Sequence, residues 1–304
     1  MPGENIIRKG VELKALTTMK TGGPAAYLVE PSNEDEIIKL LRYAQAKSLE
    51  VFILGNGSNV IADDEGFDGL IIKLGNNMSE LIVDDDPEDP DYSFITAKAG
   101  CLLSKLGNTA ASEGLEGAEF ACGIPGSVGG AVFMNAGAYG ADISDIAVEV
   151  SYIEDFKLQT RVVSKEDFGY RTSFFAHNGR IVTSLKIRLK KGDKERINEY
   201  VRELRDKRTT SQPLTVPSCG STFKRPEGYF AGKLIQDSGL KGFSLDDSGA
   251  QVSSKHAGFV VNNEGKAGSE DIKRLIRYIQ DKVYEDSGVR LECEVRFLGG
   301  KKEQ

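Results

Sequence analysis

Glycine is concentrated in this chain rather than spread along it. "LGNGSNV" (Leu54 to Val60) carries Gly55 and Gly57, and "GIPGSVGGAVFMNAGAYG" (Gly123 to Gly140) carries six glycines in eighteen residues. Clustered glycine lets backbone come close to another surface, whether protein or ligand. Successive N–H groups in such turns also form concave anion-binding nests. A tight turn against a packed strand explains either stretch taken singly. Two of them in one chain point to a large phosphate-bearing cofactor, which the residues themselves do not identify.

The better-known glycine sites fail on spacing. After Gly55 and Gly57 the dinucleotide fingerprint G-x-G-x-x-G requires a third glycine where Val60 stands. "AGKL" (Ala231 to Leu234) has no Ser or Thr after its lysine and lacks the upstream glycine of a P-loop. A G-x-S-x-G hydrolase elbow is also missing: two residues before Ser221, Ser127 and Ser58 lie Cys219, Pro125 and Asn56. The chain has only two histidines, His177 and His256, and neither is near Ser221 in sequence.

The 304 residues suffice for two or three domains with their own cores. A formal charge of −7 argues against nucleic acid and anionic membrane surfaces as partners, while leaving room for a local basic pocket. Cys101, Cys122, Cys219 and Cys293 form no C-x-x-C pair, and we read them as reduced thiols without a metal. With no apolar run near membrane-spanning length and no apolar leader, the expected setting is cytoplasmic, with no membrane partner and no requirement for an oligomer.

Element patterns along the chain predict an α+β protein. A Ser32-capped helix over "SNEDEIIKLLRYAQAKSL" carries Ile37, Leu41 and Ala44 and is followed by strands in "VFILGNGSNVIA" and "GLIIKL". The acidic, proline-broken "VDDDPEDPD" (Val83 to Asp91) reads as a solvated connector. Beyond it come "FITAKAG", a helix through "LSKLGNTAASEG", and strands "VEVSYIED" and "RIVTSLKIRLKKG". The last puts Ile181, Thr183, Leu185, Ile187 and Leu189 on one face. A helix over "KERINEYVRELRDKRTT", striped by Ile197, Tyr200, Val201 and Leu204, ends before Pro213. The C-terminal part has a Ser269-capped helix and a strand over "VRLECEVRFLG". That strand would place Val289, Leu291, Cys293, Val295 and Phe297 on one face and Arg290, Glu292, Glu294 and Arg296 on the other. The expected domains are 1–84, 85–209 and 210–304.

"LGNGSNV", "GIPGSVGGAVFMNAGAYG", "FGYRTS", "CGSTFKRP" and "LECEVRFLG", in that order, resemble the UDP-N-acetylenolpyruvoylglucosamine reductase family from about Leu16 to Gly299. The resemblance implies a two-part FAD-binding fold of the vanillyl-alcohol-oxidase type (residues 1–84 and 85–209). A smaller α+β substrate-binding domain follows (210–304). It implies FAD contacts at Gly55, Asn56, Gly57, Ser58, Asn59, Ile124, Pro125, Ser127, Gly129, Gly130 and Gly137. Longer members carry an inserted loop with a substrate-covering tyrosine between the arginine and serine motifs. The short stretch from Arg171 to Ser221 places this chain in the shorter subclass.

The reaction so implied is the NADPH-dependent, FAD-mediated reduction of a UDP-sugar enolpyruvate to UDP-N-acetylmuramate, in peptidoglycan precursor synthesis. Hydride reaches the distal alkene carbon, and negative charge builds next to the carboxylate. By resemblance Arg171 stabilises that charge, Ser221 donates the proton, and Glu294 supplies the carboxyl group of "EVRFLG". Lys224, Arg225, Lys241 and His256 match positions lining the substrate pocket. Taken without the resemblance, Arg171 reads rather as a surface ion-pair residue and Ser221 as a turn serine bonded to its own backbone. Strand periodicity does not choose between Glu292 and Glu294. Two rival readings keep the glycine stretches: another FAD oxidase of the same fold, and a non-catalytic flavin or sugar-nucleotide binding protein.

Overall fold

The computed structural model describes residues 7–299. It divides into two compact units: residues 7, 29–56 and 71–208 form one, and 8–28, 57–70 and 209–299 the other.

In the first unit the strands predicted from "FITAKAG", "VEVSYIED" and "RIVTSLKIRLKKG" are present. They belong to a six-stranded antiparallel sheet ordered Lys157–Val162, Ala147–Glu154, Ile181–Lys191, Tyr92–Lys98, Leu81–Asp85, with Leu115–Glu116 pairing the end of the long central strand. Register sets Leu185 opposite Ala97 and Val150, and Ile187 opposite Ile95. Ile181, Thr183, Leu185, Ile187 and Leu189 are all buried, as their alternation predicts. Above this face lie helices Leu103–Ser112 and Val128–Met134, which contribute Leu103, Leu106, Ala110, Val128 and Val132 to one core with Ile95, Ala97 and Val150. The helix Lys194–Ser211 buries Ile197 and Val201 against Ala111 and Cys122; Tyr200, placed on the same stripe by the sequence, is exposed.

The acidic stretch is not a free connector. Residues 81–85 pair with 92–98 as a hairpin, and its carboxylates meet cations of the central strand. Arg188 donates to Asp86 at 2.7 Å and to Asp89 at 3.3 Å, and Lys191 donates to Asp85 at 2.7 Å. Asp86 is buried, and the Glu88 N–H together with Arg188 holds its carboxyl below the usual range. The first helix runs Glu34–Ala46 and is capped by Asn33, whose side chain accepts from the Glu36 N–H at 2.9 Å. Ser32 lies one residue outside the cap, and its N–H instead donates to Glu36 Oε2. The buried stripe is Ile37, Leu40 and Ala44.

In the second unit Val60–Ala62 runs parallel to Arg296–Leu298, and Ala250–Val252 forms a hairpin with Val260–Asn262. The helix Ser269–Ser287 packs Ile272, Leu275, Ile276, Ile279 and Val283 into a core with Met19, Ile61, Val252 and Val260. Gly268, not Ser269, holds the cap position: its N–H donates to Asp271 Oδ2, while the Ser269 hydroxyl accepts from the Asp64 N–H. The expected C-terminal strand forms only over Arg296–Leu298. Residues 289–295 touch their neighbour through a single bridge, Phe223 to Cys293, and Phe297 is exposed while Leu298 is buried.

Asp63 links these pieces, accepting from Lys273 at 2.5 Å with both side chains mostly buried. Burial alone would raise its pKa, but the Lys273 ammonium and the Glu65 N–H outweigh burial and lower it. A carboxylate whose folded pKa is depressed adds stability above its unfolded pKa and loses it as pH falls through the folded pKa. Asp63→Asn should therefore cost about 1–3 kcal/mol near pH 7. Its urea midpoint should begin to converge on that of the unsubstituted protein below about pH 4 and meet it only under the depressed folded pKa. A difference that stays constant from pH 7 to pH 3 would rule out the ion pair as its source.

Candidate active site

The first glycine stretch leaves strand Glu50–Leu54 and enters strand Val60–Ala62. Asn56 donates through Nδ2 to the Pro125 carbonyl, so the two glycine stretches meet within the first unit. A Cβ at Gly55 would sit 2.2 Å from Ser127 Oγ, which no side chain tolerates. Packing likewise requires glycine at Gly129, 2.9 Å from Ala99 Cβ, at Gly137, 2.5 Å from Asp142 Cβ, and in the second unit at Gly57, 2.0 Å from the Leu16 carbonyl. Gly130 differs. It is exposed, and a Cβ there meets only Ser127 Oγ at 3.4 Å. Ser127 caps the helix Val128–Met134 and accepts from the Gly130 N–H at 3.4 Å, while the Val128 and Gly129 N–H groups donate to Cys101 and Ala99 carbonyls.

Asn59 binds the other end of the first stretch to the C-terminal segment of the second unit. Its Nδ2 donates to the Glu294 carbonyl at 3.0 Å, and its own carbonyl accepts from Arg296 N–H at 2.9 Å. Ser58 lies between them, half-buried. Ile124 is half-buried and packs on the first unit's core, and Pro125 is exposed.

Ser221 and Glu294 are brought together by backbone. Glu294 N–H donates to the Thr222 carbonyl at 2.9 Å, and Lys224 N–H donates to the Glu292 carbonyl at 2.8 Å. On its other side Thr222 donates to the Gly258 carbonyl at 2.9 Å, and its hydroxyl accepts from Val260 N–H at 3.0 Å. Thr222 is buried, yet Ser221 next to it is exposed. A hydroxyl is thus presented to solvent from a backbone held on two sides. Cys219, two residues earlier, is buried against the Val60 carbonyl, and burial pushes its thiol up to about 12, which removes it as a nucleophile.

Glu292 is exposed and forms an ion pair with Lys224; Glu294 is half-buried beside the Thr222 bond. Arg225 is exposed, with its guanidinium 3.9 Å from the Phe230 ring centroid and Nε donating to the Tyr229 carbonyl. His256 accepts at Nδ1 from Gly258 N–H at 3.1 Å, which leaves Nε2 to carry the proton. Burial, with the nearby Lys241 charge, lowers its pKa and favours that neutral donor form. Lys241 itself is exposed.

Arg171 belongs to the first unit. Phe168 pairs with Ser173 and Gly169 with Thr172, so Tyr170 and Arg171 form the whole turn of a tight hairpin. Arg171 holds φ at +55°, a region where glycine or asparagine is usual, and its Nη2 donates to the Gly137 carbonyl at 3.1 Å. Asn135 ties the same two segments again: its Nδ2 donates to the Gly169 carbonyl at 3.1 Å, and its Oδ1 accepts from Ser144 N–H. In sequence the only sign of Asn135 is an asparagine closing a short helix, where it adopts φ +44° as the C-cap.

Residues 25–155 match the FAD-binding domain family, and residues 212–298 match the C-terminal domain of UDP-N-acetylenolpyruvoylglucosamine reductase. An α+β chain whose first part binds FAD defines a flavin-dependent oxidoreductase class. Whole-chain relatives narrow it. A UDP-N-acetylenolpyruvoylglucosamine reductase of Agathobacter rectalis is 46% identical over 94% of this chain and 92% of its own length. That of Clostridium tetani is 41% identical over 99% and 94%. The crystal structure of the enzyme from Thermus caldophilus superposes with a TM-score of 0.79 at 34% identity, covering 96% of this chain and all of that one. The chain belongs to the UDP-N-acetylenolpyruvoylglucosamine reductase family.

The residues present fit FAD. Gly130 opens a side-chain-free surface beside Ser127, and the loop at Gly123 lies against the Arg208 guanidinium, a cation suited to phosphate. Among the described residues no group of three or more His, Cys, Asp or Glu is arranged to hold a metal ion, and no helix is long and apolar enough to cross a membrane.

Proposed function

We propose that this chain reduces UDP-N-acetylglucosamine enolpyruvate to UDP-N-acetylmuramate with NADPH as hydride donor, in peptidoglycan precursor synthesis in the cytoplasm, without requiring an oligomer. The observation that carries this assignment to particular residues is the exposed Ser221 hydroxyl on a backbone clamped to both Gly258 and Glu294. FAD, when bound, would supply the hydride chemistry, with NADPH as its source. Gly55, Asn56, Gly57, Ser58, Asn59, Ile124, Pro125, Ser127, Gly129, Gly130 and Gly137 would hold that cofactor, on segments before and after residue 84. The sugar nucleotide is assigned to residues after 209.

Ser221 holds a proton at Oγ and delivers it to the substrate carbon next to the carboxylate. That carbon becomes carbanion-like as hydride arrives at its neighbour, so a hydroxyl is acid enough without a histidine. Arg171 grips the substrate carboxylate, where a guanidinium fork matches two oxygens and stays charged at every working pH. Glu294 acts in its protonated or hydrogen-bonded form, since a bare carboxylate would oppose the developing charge. Lys224, Arg225, Lys241 and His256 are assigned to the substrate's diphosphate and sugar. The neutral Nε2–H of His256 suits an uncharged acceptor or a phosphate oxygen.

Mixing the FAD-loaded protein anaerobically with NADPH should bleach the visible flavin band, and adding the enolpyruvyl sugar nucleotide should restore it. Bleaching without recovery would sink the reductase assignment while keeping the flavin; no flavin uptake would sink both.

A further inference from the structure

Arg208 sits near the end of the helix Lys194–Ser211, in a run of charged residues that looks like a solvated face. The structure gives it different surroundings. A Cβ built on Gly123 would lie 3.1 Å from Arg208 Cδ and 3.3 Å from Nη1, so the side chain lies flat against the second glycine stretch. Desolvation by this packing lowers its pKa, and the Tyr139 phenol is the one group that acts the other way. Among the described residues no carboxylate pairs with it. Three other half-buried arginines of the same unit have such partners: Arg161 has Asp167, Arg180 has Glu154, and Arg188 has Asp86.

Tyr139 is a second anomaly at the same spot. It forms, with Gly140, the turn between Gly137–Ala138 and Ala141–Asp142, and holds φ at +57°. Its hydroxyl donates to the Leu204 carbonyl at 3.3 Å, one helical turn before Arg208. A strained turn is thus fastened to the helix beside a cation that has lost water and gained no anion. Such an arrangement is unfavourable by itself and becomes favourable when an anion arrives. Gly123 leaves backbone, rather than a side chain, next to the guanidinium on that side.

We propose that Arg208 is an anion-binding residue, whose guanidinium takes a phosphate oxygen of a nucleotide diphosphate at the Gly123 loop. This rests on the reductase reading above. Two ligands of that reading carry the chemistry, FAD and the UDP-sugar, and the test separates them.

The variants are Arg208→Met, which keeps the stem that packs on Gly123, and Arg208→Lys, which keeps charge without the fork. Melting of the apoprotein reports any structural role. Titration of apoprotein with FAD, followed by flavin fluorescence, and the KM for the enolpyruvyl sugar nucleotide at saturating FAD report the two ligands. We expect Arg208→Met apoprotein to melt at the same temperature or slightly higher, because an uncompensated charge is removed. Its affinity for one diphosphate should fall about ten- to hundred-fold, with Arg208→Lys in between. Weakened FAD binding assigns the cofactor diphosphate, and a raised KM with unchanged FAD binding assigns the substrate's. Unchanged binding of both overturns the inference, as does a lower apoprotein melting temperature with both affinities intact. If the unsubstituted protein binds neither nucleotide, the reductase reading fails, and the inference with it.

Discussion

Replacing Ser221 by alanine is expected to leave NADPH-driven bleaching of the flavin at its normal rate and to slow recovery on adding the enolpyruvyl substrate by about 10²–10⁴-fold. The split follows from where Ser221 stands. Its side chain is exposed, and the bonds that fix its position belong to Thr222: the N–H to Gly258, the carbonyl to Glu294 and the hydroxyl to Val260. Removing Oγ leaves all three intact, so the melting temperature should hold. Gly220, at φ +75° with nothing within 4 Å of a built Cβ, is likewise untouched by the change. Stopped-flow absorbance resolves the two half-reactions. Equal slowing of bleaching and recovery would mean that the substitution acts on the flavin site instead, and the proton-donor role would fall. Substrate protonation would then need another donor, and His256, with Nε2–H available and tied to Thr222 through Gly258, is a candidate.

How much of this was legible in sequence depends on how locally each feature is determined. The strand Ile181–Lys191 was, because burial of one face writes itself into a period of two over many residues. The same period over 289–297 is kept by burial as far as Val295, but it does not make a strand there. There the backbone is fastened by isolated bonds, Lys224 to Glu292 and Glu294 to Thr222, and no continuous ladder forms along it. Charge in the Val83–Asp91 stretch spoke for solvation, but its counter-charges, Arg188 and Lys191, lie about a hundred residues later and were invisible to a local reading. Ser32 and Asn33 are both good caps, and only the helix start chose between them. Arg208 was hidden for the converse reason: in sequence it is one more charge among "RELRDKR". The glycine motifs stood out, though at Gly55, Gly57, Gly129 and Gly137 what each missing side chain makes room for is protein. Glu292 and Glu294, equivalent by periodicity, are separated by burial, the former exposed and the latter half-buried.

Arg171→Gly should separate stability from activity. Arg171 occupies φ +55° in a two-residue turn, where a side chain costs about 1–2 kcal/mol and glycine costs little. Glycine would relieve that strain, while losing the Nη2 bond to the Gly137 carbonyl and adding freedom to the unfolded chain, each worth about 1 kcal/mol or less. Those terms nearly cancel, so the melting temperature should move by only a few degrees. Activity should not follow it. Loss of the guanidinium is expected to lower kcat/KM for the enolpyruvyl substrate by about 10²–10³-fold, with NADPH bleaching unaffected. Arg171→Lys, which keeps both the charge and the strained backbone, should recover only part of the loss, because an ammonium lacks the fork that meets two carboxylate oxygens. Were the residue present only to shape the turn, glycine would be the better choice, and the variant would be as active as the parent and no less stable. That outcome would remove Arg171 from the reaction. A strained arginine at a position where glycine fits is difficult to explain unless its side chain has work that glycine lacks.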